Sequence, residues 1–303
     1  MSYTELNNKI VEKFQDLEVN PEIYLKGILE RKPINYWEYI QLETLMTLQN
    51  PRTEHADETI FVIYHQITEL SLKLIVHELK QITGGVTADI STLVEKVKRI
   101  NRYTEMLINS FGIMKYGMDY DSYGTFRNAL APASGFQSVQ FRYIELYCTA
   151  LENLINQKGK ERLSANPSME EQFDNLYWKD AGLDRKTGKK SLTLLQFEEK
   201  YLSDLIAFAK ELKGNTLFDK ILSLSENEQQ NSAFKDFDYL YNVAWPMVHL
   251  ETAQHYLDSK GENKEATGNS EWKKYLHPKH QQRVFFPFLW ENEAIENHTV
   301  LHL

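Results

Sequence analysis

Between Glu58 and Ile82 the apolar residues Ile60, Ile63, Ile67, Leu70 and Leu74 recur in steps of three and four. That spacing gathers onto one face only in a helix, because a strand alternates with period two. Thr83-Gly84-Gly85 closes the run, as glycine commonly does at a helix end. A second periodic run extends from about Asp89 to Phe111, with Leu93, Val97 and Ile100 in register. Further helices are predicted over Phe136 to Ile155, Leu192 to Lys213 and Phe234 to Leu257. Chain breakers are scarce, 13 Gly and 8 Pro in 303 residues, and the stretches between them are rich in Leu, Glu, Lys and Gln. Such a chain favours helix throughout, so an all-α helical bundle is the expected fold class.

The remaining segments set the expected organisation. Residues 3 to 30 are charged and weakly amphipathic, and YWEYIQLETLMTLQ (36–49) reads as a short aromatic-rich helix ended by Asn50-Pro51. Residues 118 to 136 read as a helix followed by a loop. The polar, broken stretch 157–190 is expected to be an exposed insertion, and 259–270 a polar loop. The predicted division is an N-terminal helical segment, 1–35, and a main helical domain, 36–303.

Charge and cysteine usage narrow the function classes. A formal net charge of −9 without a basic block is a poor match to nucleic acid, whose phosphates need clustered Lys and Arg, and to an anionic membrane surface. The single cysteine, Cys148, rules out an intramolecular disulfide and a cysteine-built zinc site. The opening MSYTELNNKIVEKF lacks the apolar core of a signal peptide. No run is expected to reach the ~18 apolar residues that span a bilayer. A cytoplasmic protein that engages neither membrane nor nucleic acid is therefore expected.

Nine histidines are present, and two stand inside periodic helices among large apolar neighbours. His65 lies in FVIYHQITEL. His249 lies in AWPMVHLETAQHYL, with Trp245 one turn before it on the same face. A neutral imidazole facing an apolar slot can ligate a haem iron; a hydrogen-bonded helix histidine gives the same pattern. His65 and Glu69 form an i, i+4 pair that invites a di-iron carboxylate reading, but the usual Glu-x-x-His motif is missing. Arg127, in SYGTFRNALAPASGFQS, could receive a carboxylate through its fork, with Tyr123 adding a hydroxyl. Pairing of Arg127 with an acidic residue such as Asp119 is the alternative.

Four segments in order carry a resemblance. FRNALAPASGFQSVQFRYIE (126–145) is similar to the signature of the tryptophan 2,3-dioxygenase family. YWEYIQL (36–42), DETIFVIYHQITELSLK (57–73), and WPMVHLETAQHYLDSK with ATGNSEWKKYL (245–276) resemble further segments of that family, while 157–235 matches only loosely. The resemblance implies an all-α homotetramer that uses haem b, as ferrous iron, and O2 to open the indole ring of L-tryptophan or a related indole. It implies His249 as the axial iron ligand with Trp245 beside it, and Ser134 in a loop approaching the haem. It implies His65 as the distal histidine that meets the indole N–H, and Phe61 packing on the substrate ring. Arg127 and Tyr123 would hold the substrate carboxylate and Thr267 its charged end. Tyr36 and Tyr39 would complete the pocket of a neighbouring subunit. Two departures stand out. Ser71 replaces a Trp usual on the distal helix, and Ala266-Thr267-Gly268-Asn269 replaces Gly-Thr-Gly-Gly.

Overall fold

The computed structural model describes residues 1–85, 89–258 and 276–290. Among them the secondary structure is helical, with no strand beyond one isolated bridge between Leu183 and Lys190, as the periodicity predicts. The chain forms two compact units, Met1–Gln49 and Asn50–Leu303.

The first unit holds α1 (Tyr3–Asp16), α2 (Pro21–Glu30), α3 (Tyr36–Tyr39) and α4 (Leu42–Leu45). Local signals set its helix starts. Ser2 and Glu5 cap each other's backbone, and Asn20 caps α2 ahead of Pro21. The predicted single helix over 36–49 is instead two short turns, because Gln41 adopts the left-handed conformation (φ 55°) between them.

The second unit is built on α5 (Ala56–Thr83) and α6 (Ile90–Gly117), each 28 residues and so about 42 Å long. They run antiparallel: Tyr64 meets Phe111 near one end and Glu78 meets Lys96 near the other. Asp89 caps α6 by accepting from Thr92 N (2.9 Å), and the buried Glu58 carboxylate accepts from Arg52 N and Thr53 N (2.7 Å each). Leu72, Ile75 and Leu79 on α5 and Val97, Ile100 and Leu107 on α6 are fully buried. Each contributes roughly 1.5–3 kcal/mol of apolar transfer free energy.

Around this pair lie α7 (Tyr120–Phe126), α8 (Val139–Cys148), the short α9 (Gln157–Lys160) and α10 (Met169–Asp174), α11 (Leu192–Leu212), α12 (Leu217–Leu222) and α13 (Glu226–Gln229). The chain then enters α14 (Ser232–Tyr239), a single π turn (Leu240–Ala244) and α15 (Trp245–Leu257). α8 packs on α5, while α14 and α15 pack on α6. The helix predicted from Phe234 to Leu257 is thus one path with a widened turn. Pro246 supplies the reason: its ring would meet the Asn242 carbonyl in a continuous α-helix, and a π turn opens that contact. Trp245 N bonds Leu240 O instead of the carbonyl four residues back.

Three expectations need correction. The stripe Ile63, Leu70 and Leu74 is largely exposed (40, 53 and 42%). The face of α5 that is buried carries Tyr64, Ser71, Leu72, Ile75, Leu79 and Ile82, because the helix is apolar on more than one side. For the same reason α5 is, by length and composition alone, long and apolar enough to cross a bilayer. Here it packs against α6 and α8 and buries Glu58 and Glu78. Finally, 157–190 is not an exposed insertion throughout. Phe173, Leu176, Tyr177 and Trp178 join the core, and buried Lys179 pairs with Glu198. A Phe173→Ala substitution is expected to destabilise the protein by about 3–5 kcal/mol in urea denaturation. A loss below about 0.5 kcal/mol, the range of a surface change, would return this segment to the surface.

Candidate active site

Three helices bring the candidate residues together. α5 carries Phe61, Tyr64 and His65, α6 carries Phe111, and α15 carries His249. The rings form a chain: His65 to Tyr64 at 5.3 Å, Tyr64 to Phe111 at 5.6 Å, and Phe111 to His249 at 5.4 Å. The antiparallel register of α5 and α6 places Tyr64 beside Phe111, and α15 packing on α6 adds His249.

His249 is at once accessible and desolvated. Its side chain retains open surface, yet burial, with a smaller contribution from the charge of His65, pulls its pKa down to about 4. Its ring is linked to that of His65 through Phe111 and Tyr64. No hydrogen bond engages the His249 ring among the described residues, so a lone pair is available for ligation at neutral pH.

His65 is fixed differently. Its Nδ1 lies 2.8 Å from the Phe61 carbonyl oxygen. A carbonyl only accepts, so Nδ1 carries the proton and the neutral ring keeps Nε2 as an acceptor. Burial pulls its pKa below 6.5, opposed by that bond and by the charge of Glu69. The Glu69 carboxylate accepts from Gln140 Nε2 (2.8 Å), as does its carbonyl (2.7 Å), tying α8 to α5. Among the described residues no three of His, Cys, Asp and Glu gather where a metal could be held by side chains alone. The di-iron alternative therefore gains no support.

Beside the histidines stands an aromatic group. Phe61 lies 4.1 Å from His65, 5.8 Å from Phe126 and 6.1 Å from Tyr123. Arg127 follows at the end of α7, 7% exposed. Burial raises the Tyr123 pKa while the Arg127 charge opposes the rise, which keeps the phenol protonated and places the guanidinium near it. Tyr256 was not singled out by the sequence, although it lies seven residues after His249 on the same helix face. Its Oη donates to Met114 O (2.5 Å), and its ring packs 4.6 Å from Tyr123. Phe111 also escaped notice, because a lining aromatic and a core aromatic have the same periodicity.

The other expected residues are placed as follows. Trp245 is buried and stacked on Phe141 of α8 (4.6 Å, 12° between planes), so it docks the helix that carries His249. Ser134 caps a turn by accepting from Phe136 N (3.3 Å), and no contact among the described residues joins it to the histidines. Ser71 is buried, its hydroxyl donating to Ile67 O (2.7 Å). Tyr36 and Tyr39, 69 and 75% exposed, belong to the first unit. Thr267 lies outside the described residues.

Fold and site define a class: an all-α protein with two desolvated histidines on different helices, linked through aromatic rings. A profile of the tryptophan 2,3-dioxygenase family matches residues 28–205, more than half of the chain. A tryptophan 2,3-dioxygenase of Bacillus thuringiensis subsp. konkukian is 28% identical over 269 residues, covering 86% of this chain and 92% of the relative. One from an Arthrobacter species is 25% identical over 283 residues (85 and 90%). One from Kineococcus radiotolerans is 34% identical over 117 residues (38 and 41%). The chain belongs to the tryptophan 2,3-dioxygenase family, and on that ground it is an oxidoreductase of the dioxygenase class.

The low pKa of His249 has a consequence for the protein without cofactor. The unfolded imidazole takes its proton near 6.5 and the folded one near 4. Between these values the unfolded chain binds more protons, so stability is fully present above 6.5 and falls as pH drops toward 4. His65 contributes with the same sign. In thermal melts of the apoprotein across this window, His249→Gln is expected to lose less stability than the parent. Equal losses would mean that His249 is not desolvated.

Proposed function

We propose that the protein binds haem b through His249 and uses O2 to cleave the indole C2–C3 bond of L-tryptophan, giving N-formyl-L-kynurenine. The observation that carries this reading is a pair of desolvated histidines linked through Tyr64 and Phe111, one with no hydrogen bond to its ring among the described residues and the other tied by Nδ1 to the Phe61 carbonyl. The donor set would fit haem: His249 could hold an iron whose remaining donors a macrocycle supplies. When bound, ferrous haem supplies the oxygen activation.

The chain's own residues would do the rest. His65 Nε2 accepts the indole N–H and orients the ring. Phe61 packs against the indole face, in the dry setting that an apolar arm needs. Arg127 receives the carboxylate through its fork, with the protonated Tyr123 as a second donor. Thr267 would assist at the charged end of the substrate, and Ser134 would belong to a loop that approaches the haem. Trp245, stacked on Phe141, keeps α15 docked so that His249 is presented to the iron. Exclusion of water and the fixed pose of the substrate lower the barrier by proximity.

The catalytic portion begins at Tyr36 in this reading, after the helical segment 1–35. Exposure of Tyr36 and Tyr39 supports a role in which they reach the pocket of a neighbouring copy within a homotetramer. The setting is cytoplasmic, without membrane or nucleic-acid partners. A second reading, oxidation of another indole by the same site, is favoured by Ser71 and by the altered Ala266-Thr267-Gly268-Asn269 loop.

Reduced, haem-loaded protein in air is expected to convert L-tryptophan to N-formyl-L-kynurenine, followed by absorbance and mass. Arg127→Ala is expected to lower kcat/KM by about 10- to 100-fold, the loss of one charged hydrogen bond. His249→Ala is expected to abolish the axial-histidine haem spectrum. An intact haem band with no product from L-tryptophan, but turnover of a substituted indole, would favour the second reading.

A further inference from the structure

We propose that Arg283 and Asp238 are positioning residues that fix the orientation of the His249 imidazole by bracing the π turn ahead of it. The inference rests on the reading of His249 as the haem ligand. The π turn releases a carbonyl. In an α-helix Tyr241 O would accept from Trp245 N, but that N–H goes to Leu240 O. Arg283, buried, donates from Nη2 to Tyr241 O (3.4 Å). The released acceptor thus finds its donor outside the helix, as a buried carbonyl requires.

The same C-terminal segment grips the helix just before the turn. Asp238 accepts from Phe285 N (2.9 Å), Phe286 N (3.0 Å) and Trp290 Nε1 (3.0 Å), and from Asn242 Nδ2 within the turn (2.6 Å). Arg283 Nη1 in turn binds Glu145 Oε1 (2.8 Å) and Tyr177 Oη (2.7 Å). Glu145 also holds Arg142 (2.9 Å), beside the Phe141 on which Trp245 stacks. Asp238 thus fastens the helix ahead of the π turn, and Arg283 the turn itself, to the same C-terminal segment. Winding the helix by one residue rotates all that follows by about 100°. Such a rotation would turn His249, four residues beyond Trp245, away from Phe111 and the rings that link it to His65. A buried ionic cluster contributes little net stability compared with apolar packing, whereas it does fix which carbonyl meets which donor.

The test uses haem-loaded full-length protein. Arg283→Met leaves Glu145 paired with Arg142, and Arg283→Lys keeps the buried charge but cannot serve Glu145 and Tyr241 O together. Lys96→Met is the control, since it likewise leaves Glu78 with a second cation, Arg99 (3.6 Å). The readouts are the iron–histidine stretching band of the ferrous protein, the rate of haem transfer to an apoglobin, and helix content. Both Arg283 variants are expected to shift the band and weaken haem retention by about tenfold or more, with helix content kept and Lys96→Met unchanged. A parental band and parental retention in Arg283→Lys overturn the proposal, and Lys alone decides if Met fails to fold. An equal shift in Lys96→Met also overturns it, since general loosening would then explain the effect. A band that survives His249→Ala overturns the ligand reading itself, a result distinct from either outcome at Arg283.

Discussion

The antiparallel seam between α5 and α6 is the constraint on which the site depends. His65 and His249 stand far apart in the chain and on helices of different neighbourhoods. They come into one neighbourhood because Tyr64 and Phe111, 5.6 Å apart, fix the register of the two long helices, and because α15 then packs on α6. A slip of one residue along that seam would rotate a whole face of apolar side chains by about 100°. The fully buried Leu72, Ile75 and Leu79 opposite Val97, Ile100 and Leu107 oppose it. Core packing at one end of the seam thus determines site geometry at the other.

Desolvation then sets the chemistry. An imidazole surrounded by protein loses the hydration of its charged form, so it stays neutral at pH values where a free histidine begins to protonate. For His249 this gives an available lone pair, and for His65 it gives a ring that donates from Nδ1 and accepts at Nε2. The same burial keeps Tyr123 a phenol beside the Arg127 cation. A neutral acceptor, a neutral donor and one fixed positive charge suit a zwitterion with an apolar arm, whose carboxylate end needs charge and whose ring needs none.

Much of this was legible in the sequence. Existence and extent of the long helices followed from period and breaker positions, since Gly84 and Asp89 act locally. His65, His249, Tyr123 and Arg127 were singled out by type and neighbours, Phe61 only by the family resemblance, and the fold brings aromatic and histidine rings among them into contact. The orientation of α5 was not legible: apolar residues lie around most of its circumference, and only tertiary packing selects which of them are buried. Nor was the core role of Phe173, Leu176, Tyr177 and Trp178, because four apolar residues among polar ones carry no periodic signal. The buried cluster of Arg142, Glu145, Tyr177 and Arg283 joins positions up to 138 residues apart, which no local pattern can announce.

The position where sequence and structure disagree most sharply is Pro246. A proline inside a helix violates local preference by about 3 kcal/mol relative to alanine, and the chain places it three residues before His249. The widened turn lets the helix continue past the proline while leaving carbonyls without their usual donors. Arg283 meets one of them from a segment that the helix itself does not contain. A local rule is broken beside a functional group and the compensation is long-range, as expected where geometry at a site outweighs regularity of an element. The helix that carries His249 is therefore less a rigid rod than a jointed one, and its joint is held in part by Arg283, 42 residues beyond the carbonyl it meets, a separation that no helical repeat of about 3.6 residues can bridge.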